Sequence, residues 1–174
     1  MDEPRRRFDA LWQAHYRSVL AYALRRVPPD VAADVASETF LRAWRRIDER
    51  PEAPRLWLYG IARGIVANQR RSGQRLDALR ARISREPQVV EEPVEGVGNG
   101  PAWEALERLP PREREAVMLV AWEELSAEDA ATVAGCSRAT FAVRLHRGRR
   151  RMEEHLRPAE PLVAPIVSEL EKES

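Results

Sequence analysis

The stretch LSAEDAATVAGCSRATFAVRLHRGRRRM, residues 125–152, holds two helical patterns on either side of a glycine turn. Ser126 is followed three residues later by Asp129, which is the spacing of a capping box, so a helix is predicted to begin there. Gly135 suits the left-handed position just past that helix, and Ser137 can cap the next one. The second helix is longer and strongly basic. This is the layout of a helix-turn-helix, an element that usually places one helix in the major groove of DNA.

The second of these helices, which continues to about Leu156, divides into an apolar face and basic faces. Phe141, Leu145 and Met152 share one side and can pack on the preceding helices. The other sides carry Arg138, Thr140, Arg144, Arg147 and residues 149–151. A solvated basic helix in an ordinary bundle is the alternative interpretation. The lengths of the two helices and the glycine turn between them favour DNA binding.

Upstream of this element, apolar residues recur every three or four positions, which is the period of amphipathic helices. A first helix is predicted from near Phe8 to Pro28-Pro29, and a second begins with Asp30 as its cap. PEAP at 51–54 ends the second helix, whose apolar side includes Ile47. A third helix is predicted from about Arg55 to about Ile83. After the break at 84–101, helices resume at Ala102 and at residues 112–122.

Residues 84–101, SREPQVVEEPVEGVGNGP, differ in character from both neighbours. They contain three Pro, three Gly and four Glu without a helical period, which predicts a flexible acidic linker. The sequence therefore predicts an all-α protein with two small helical domains, 1–83 and 102–157. The proline-broken segment 158–174 would be a short tail.

The net charge of +1 is unevenly distributed. Residues 1–83 hold 17 Arg against 10 acidic residues, whereas 102–157 hold ten of each and the linker and tail are acidic. Arg is suited to bidentate contacts with phosphate and guanine. The first domain is thus predicted to meet nucleic acid as well.

Composition excludes several other classes of protein. No apolar run is long enough to span a bilayer, and the charged N-terminus lacks the apolar core of a signal peptide, so a cytoplasmic location is expected. One Cys and three scattered His predict neither a disulfide nor a metal site. The only glycine-rich candidate, GVGNG at 96–100, follows no strand and precedes no Lys-Ser/Thr pair. We expect no cofactor, no catalytic residue and no enzymatic activity.

The third predicted helix, RLWLYGIARGIVANQRRSGQR, interleaves aromatic residues with arginines. Aromatic faces beside a basic rim are what unstacked single-stranded bases require. The candidates for such contacts are Trp57, Tyr59, Arg63, Asn68, Arg70 and Arg71. The alternative is that Trp57 belongs to the core and the arginines face solvent.

In the second helix, DVASETFLRAWRRI, Asp34, Glu38 and Arg42 are spaced at i, i+4 and i+8. This spacing permits an intrahelical ladder of ion pairs worth a few tenths of a kcal/mol. It equally permits a face for a partner protein, because Leu41 and Trp44 lie near the same edge. Spacing alone does not separate the two interpretations.

Taken together, DVASETFLRAW, WLYGIAR with its basic run, the linker, and LERLPPREREAVMLVAWEELSAEDAATVAGCSRATFAVRLHRGRRRM resemble an extracytoplasmic-function (ECF, group IV) sigma factor of bacterial RNA polymerase. The resemblance covers about residues 8–156. It implies that 1–83 form sigma region 2 and 102–157 sigma region 4. The resemblance also implies promoter DNA and core polymerase as partners, with an anti-sigma factor as a further one.

The resemblance implies a role for each candidate residue. Asp34, Glu38, Leu41, Arg42 and Trp44 would grip the coiled coil of the largest polymerase subunit. The third helix and the loop before it would hold the melted −10 strand, with one base flipped into a pocket. The last helix would read the −35 element, while the other face of its domain meets the polymerase flap. The linker would run near the active-site and RNA-exit channels, its acidity imitating RNA.

Two positions depart from the family pattern. Gly64 stands where an Asn often lines the flipped-base pocket, and Asn68, one turn on, is a candidate to replace it. Ala142 stands in the recognition helix where a basic residue is common, followed by Val143. Base reading would therefore depend on the arginines and Thr140, while Ala142 and Val143 meet thymine methyl groups.

Two other functions were weighed against promoter recognition. A stand-alone helix-turn-helix regulator would bind duplex DNA without polymerase, but such a regulator needs a dimerisation or ligand domain. The first domain instead pairs aromatic residues with arginines beside a partner face. An enzyme lacks support because no nucleophile–base pair or metal-ligand spacing is present.

Overall fold

The computed structural model describes residues 3–49, 51–83 and 100–157. These residues form seven α-helices and one 3-10 turn, and this part of the chain contains no strand, so the all-α prediction is confirmed. The elements are α1 (Glu3–Leu24), α2 (Pro29–Trp44), a 3-10 turn (Ile47–Glu49), α3 (Pro54–Ile83), α4 (Pro101–Glu107), α5 (Pro111–Ala121), α6 (Ala127–Ala134) and α7 (Arg138–Leu156). The predicted linker at 84–99 and the tail at 158–174 lie outside the described residues. No helix within the described ranges has the length and apolar content to cross a membrane.

Helices α1, α2 and α3 pack on one another and form the first domain. Their shared core is apolar and nearly inaccessible to solvent; its largest members are Tyr22, Val35, Phe40, Leu58 and Tyr59. The rings of Tyr22 and Tyr59 stack with their centres 5.0 Å apart. The helical period of the apolar residues in the sequence thus corresponds to the buried side of each helix.

The ends of the first three helices differ from the prediction in detail. Helix α1 begins at Glu3, a turn before the apolar stripe. The expectation that Asp30 caps α2 is wrong, because Pro28 occupies the cap position without a side-chain hydrogen bond. Asp30 lies instead in the first turn, where its charge favours the positive end of the helix dipole. Ile47 belongs to the 3-10 turn and not to α2.

Helices α4 to α7 form the second domain, and its helix-turn-helix has the predicted caps. The backbone N–H of Asp129 donates to Ser126 Oγ at 3.1 Å, and the N–H of Thr140 donates to Ser137 Oγ at 3.1 Å. Gly135 has φ 64°, a left-handed conformation that glycine adopts without strain. These contacts fix where α6 ends and where α7 begins, and they present the N-terminus of α7 to solvent.

Helix α7 crosses α5 closely at Gly148, which is buried. A Cβ placed on Gly148 would lie 2.8 Å from Val117 Cγ2 and 3.1 Å from the carbonyl oxygen of Glu113. An ion pair between Arg151 Nη1 and Glu113 at 2.8 Å follows one turn later. The absence of a side chain at 148 therefore sets the distance between these two helices.

We predict that Gly148→Ala lowers the free energy of unfolding by about 1–2 kcal/mol, because overpacking outweighs the better helix propensity of Ala. Gly73→Ala is the matched control, since a Cβ at Gly73 meets nothing within 4 Å. That variant should be neutral or more stable by up to about 1 kcal/mol. Urea titrations followed by circular dichroism measure both. Equal stability of Gly148→Ala and the wild type would contradict the close crossing.

Burial raises the pKa of Tyr22 to about 12, with the guanidinium of Arg26 partly opposing the shift. The folded state thus holds the phenol proton more tightly than the unfolded chain, whose Tyr pKa is 10.0. Stability is therefore full below pH 10 and falls as the pH rises from about 10 to about 12. The loss amounts to roughly 2–3 kcal/mol.

We predict that Tyr22→Phe removes most of this alkaline slope, as measured by urea titrations at several pH values. The window is clean because the chain has one Lys and three Tyr. Tyr16→Phe is the control and should leave the slope in place. A Tyr22→Phe protein that loses stability over the same pH range as the wild type would refute the assignment.

Candidate functional site

The exposed side of α2 carries the five residues predicted to contact polymerase. Leu41 and Trp44 are 44% and 39% exposed, which is unusual for large apolar side chains, and Asp34 and Arg42 are exposed beside them. One step of the predicted ladder is present, because Arg42 Nε lies 2.8 Å from Glu38 Oε1. An exposed pair of this kind contributes little to stability. The face thus combines apolar and charged groups available to a partner.

An aromatic groove of about 460 Å³ adjoins this face between α1 and α2. Trp12 is 37% exposed, stacks on Tyr16 with ring centres 4.4 Å apart, and packs against Phe40 at 4.7 Å. The groove is lined by Arg5, Phe8, Asp9, Trp12, Ser37, Phe40, Leu41 and Trp44. The sequence pattern assigned Trp12 to the buried stripe and missed its exposed part. The partner face is therefore wider than α2.

A second groove of about 660 Å³ lies where α2 ends and α3 begins. Trp57 is half-buried in its wall, and the guanidinium carbon of Arg46 lies 5.9 Å from the centre of the Trp57 ring. Gly64 lines the same groove, and a Cβ there would meet nothing within 4 Å. Arg45 and Arg46, which the sequence interpretation did not select, also line it. The groove offers one aromatic wall and a basic rim to a flat ligand.

Two of the predicted −10 contacts need correction. Tyr59 is 1% exposed and stacks on Tyr22, so it supports the core and its ring does not reach a base. Asn68 does not replace the missing amide at Gly64, because it lines a different groove with Asp34 and Glu38. One helical turn carries Asn68 about 6 Å further along α3.

The remaining −10 candidates lie on the outer side of α3, and two of them are already engaged. Arg63 makes a forked contact with Glu115 of α5, with Nε to Oε1 at 2.5 Å and Nη2 to Oε2 at 3.1 Å. Arg70 Nη2 donates to the backbone carbonyl of Arg26 at 3.0 Å. Arg71 is exposed.

The contact between Arg63 and Glu115 is part of an interdomain seam, defined as Arg25, Arg26, Arg55 and Arg63 facing Glu115 and Glu123. Arg26 Nη1 lies 2.7 Å from Glu123 Oε1, and Arg25 Nη1 lies 3.2 Å from Glu123 Oε2. Arg55 Nη2 donates to the backbone carbonyl of Glu123 at 2.5 Å. Glu123 is 2% exposed. The seam therefore buries a carboxylate of the second domain among arginines of the first.

The electrostatics of the seam follow from its excess of arginines. The hydrogen bond from Glu115 raises the pKa of Arg63 above its ordinary value. Burial, followed by repulsion from Arg114 and Arg26, lowers the pKa of Arg70. The two carboxylates thus neutralise only part of the positive charge gathered on this side of α3.

In the second domain, α7 presents the predicted −35 residues at its surface. Arg138, Thr140, Ala142, Val143 and Arg147 are exposed, and Arg144 is half-exposed. Val143 is 50% exposed although Phe141 and Leu145, on either side, are buried. Thr140 Oγ1 also accepts a hydrogen bond from Ser137 Oγ at 2.9 Å, so its hydroxyl is positioned by the helix cap. Basic and small apolar groups alternate along a face that can enter a DNA groove.

Within the described residues, no group of three or more His, Cys, Asp or Glu side chains is arranged to hold a metal ion. Cys136 is a free thiol, half-buried in the turn of the helix-turn-helix.

Comparisons with known proteins cover both domains. Residues 11–76 match the family model for Sigma-70 region 2, and residues 100–152 match the model for Sigma-70, region 4. The ECF RNA polymerase sigma factor BldN of Streptomyces coelicolor is 34% identical over 141 residues, which is 74% of this chain and 52% of BldN. The chain thus spans about half the length of that relative.

Two further comparisons cover most of both chains. The ECF RNA polymerase sigma factor EcfG of Rhodopseudomonas palustris is 32% identical over 131 residues, which is 71% of this chain and 70% of EcfG. The sigma factor RpoE, in its co-crystal structure with the anti-sigma factor NepR from Bartonella quintana, is similar with a TM-score of 0.69 at 25% identity. That match covers 88% of this chain and 98% of RpoE. This chain therefore belongs to the ECF RNA polymerase sigma factors of the sigma-70 family.

Proposed function

We propose that this chain is a group IV sigma factor that directs core RNA polymerase to specific promoters and starts transcription there. The observation that carries the proposal is the order of the two family matches, region 2 followed by region 4, each on a domain that exposes a different binding surface. Residues 1–83 would serve region 2 and residues 102–157 region 4. Residues 84–101 would be the acidic linker and 158–174 a short tail. The protein would act in the cytoplasm as a binding subunit without chemistry of its own.

The exposed face of α2 is proposed to bind the coiled coil of the largest polymerase subunit. Leu41 and Trp44 supply apolar area that is costly to leave in water, and Asp34, Glu38 and Arg42 supply charges that set the register of the partner. The adjoining groove at Trp12 extends this surface onto α1. A coiled-coil helix laid against α2 would bury both.

The groove at Trp57 is proposed to receive a flipped base of the melted −10 strand. Trp57 offers a stacking surface, and Arg46 and Arg63 lie near enough to contact the backbone of the strand. The open space at Gly64 leaves the groove without an amide to select among bases. Arg70 and Arg71 would continue the phosphate contacts along α3. Capture of unstacked bases would then drive melting of the duplex.

Helix α7 is proposed to read the −35 element in the major groove. Arg138, Arg144 and Arg147 are suited to phosphates and to guanine edges, and Thr140 to either type of partner. Ala142 and Val143 are suited to thymine methyl groups, which no charged side chain at those positions would favour. The other face of this domain would meet the polymerase flap.

An anti-sigma factor is proposed as a further partner. The similar RpoE structure is a complex with the anti-sigma factor NepR. A regulator of this kind would inhibit the chain by covering the α2 face and the Trp12 groove, since the same apolar groups are needed for polymerase.

We expect the purified chain to give core polymerase run-off transcripts with defined start sites from a promoter library. Leu41→Ala should weaken binding to core polymerase by about tenfold or more, because burial of a Leu contributes roughly 1.5–3 kcal/mol. Leu156→Ala is the matched control, since both leucines are 44% exposed. Affinity is measured by fluorescence anisotropy of the labelled chain.

Two results would refute this proposal. Transcripts that never depend on the added chain would remove the function itself. Equal loss of polymerase affinity in Leu41→Ala and Leu156→Ala would remove the α2 face as the site of contact.

The role of Val143 is tested with DNA that lacks the thymine methyl group. Replacing thymines of the mapped −35 element by uracil should weaken wild-type binding by about fourfold for the contacted methyl, equivalent to about 0.8 kcal/mol. Val143→Ala should bind both duplexes with nearly equal affinity. Electrophoretic mobility shifts at fixed salt measure the four combinations. A uracil effect of the same size in the Val143→Ala variant would assign the methyl contact elsewhere.

A further inference from the structure

Surfaces proposed for −10 DNA are covered by the second domain of the same chain. Arg63 is bound by Glu115, and Thr132 of α6 lines the groove that contains Trp57 and Gly64. The turn after α6 is equally close, because a Cβ at Gly135 would lie 3.9 Å from Arg63 Nη1. Helix α6 packs along α3. A DNA strand and the second domain therefore cannot occupy this side of α3 together.

We propose that Glu115 and Glu123 form an intramolecular latch that keeps the −10 surface covered in the free protein. The proposal rests on the sigma-factor function given above, because it assigns a regulation to that same surface. The two carboxylates present negatively charged oxygens to arginines, as the phosphates of a DNA strand would. They thus occupy the arginines in place of nucleic acid.

The geometry of Glu123 is specific to the closed arrangement. Its carboxylate lies between Arg25 and Arg26, whose side chains are 25% and 5% exposed. The next residue, Glu124, has φ 53°, a left-handed conformation that is unfavourable for a residue with a side chain. This turn reverses the chain between α5 and α6 and directs Glu123 towards the first domain. Backbone strain of this type persists where surrounding contacts compensate it.

The seam is also poised to open towards a polyanion. Arg25, Arg26, Arg55 and Arg63 meet two carboxylates, and Arg26 Nη2 is buried without a hydrogen-bond partner. Repulsion from Arg114 and Arg26 acts on Arg70 nearby. A nucleic acid strand carries one charge per nucleotide and would neutralise more of these arginines than the latch does. The latch is thereby weaker than the charge of the surface it covers.

The test compares Glu115→Gln/Glu123→Gln with Glu153→Gln/Glu154→Gln in the full chain. The control pair makes the same charge change at exposed positions of α7, away from the seam. Small-angle X-ray scattering measures the radius of gyration. Fluorescence anisotropy measures affinity for a short fluorescein-labelled single strand of random sequence. Circular dichroism verifies that helix content is retained.

The latch predicts that the Glu115/Glu123 variant has a larger radius of gyration and binds the strand at least about fivefold more tightly than the control pair. Glu115→Gln alone, at a half-exposed site, should change both quantities in the same direction by a smaller amount. It keeps the test decisive if loss of the buried Glu123 charge unfolds the chain.

Two outcomes would overturn the latch. One is a variant as compact as the wild type. The other is an expanded variant that binds the strand no better than the control pair. Because neither measurement contains polymerase, a failure here is distinct from a failure of the run-off experiment.

Discussion

Glu123 lies in a position that only the contact between the two domains makes tolerable. Removing a carboxylate from water is costly unless opposite charges and hydrogen bonds replace the solvent, and here Arg25 and Arg26 of the other domain replace it. The buried part of Arg26 depends on Glu123 in the same way. The packing of α6 on α3 and the covering of the Trp57 groove follow from this mutual requirement.

Features that depend on neighbouring residues were predictable from the sequence. The caps at Ser126 and Ser137 and the left-handed Gly135 arise from hydrogen bonds and sterics within a few residues, so their pattern is legible without a fold. The apolar period likewise predicted the buried side of each helix. Asp30 is the exception, because Pro28 and Pro29 already set the start of α2 without a side-chain cap.

Features that depend on distant residues were not predictable in this way. Trp57 and Tyr59 are two residues apart, so they point to nearly opposite sides of α3 and could not both face DNA. That spacing was a signal against Tyr59. No comparable signal exists for Arg63, since its partner Glu115 is distant in sequence and on another helix. A glycine inside the basic helix did mark the close approach at Gly148, because Gly within a helix usually has a packing reason.

The covalent connection between the domains has a consequence for how strong the seam must be. Two surfaces in one chain meet at an effective concentration on the order of millimolar, whatever the amount of protein in the cell. A contact too weak to hold separate molecules together can therefore keep most chains closed. The closed fraction would not change when the cell makes more of the protein, and a competitor would have to overcome the tether as well as the contacts.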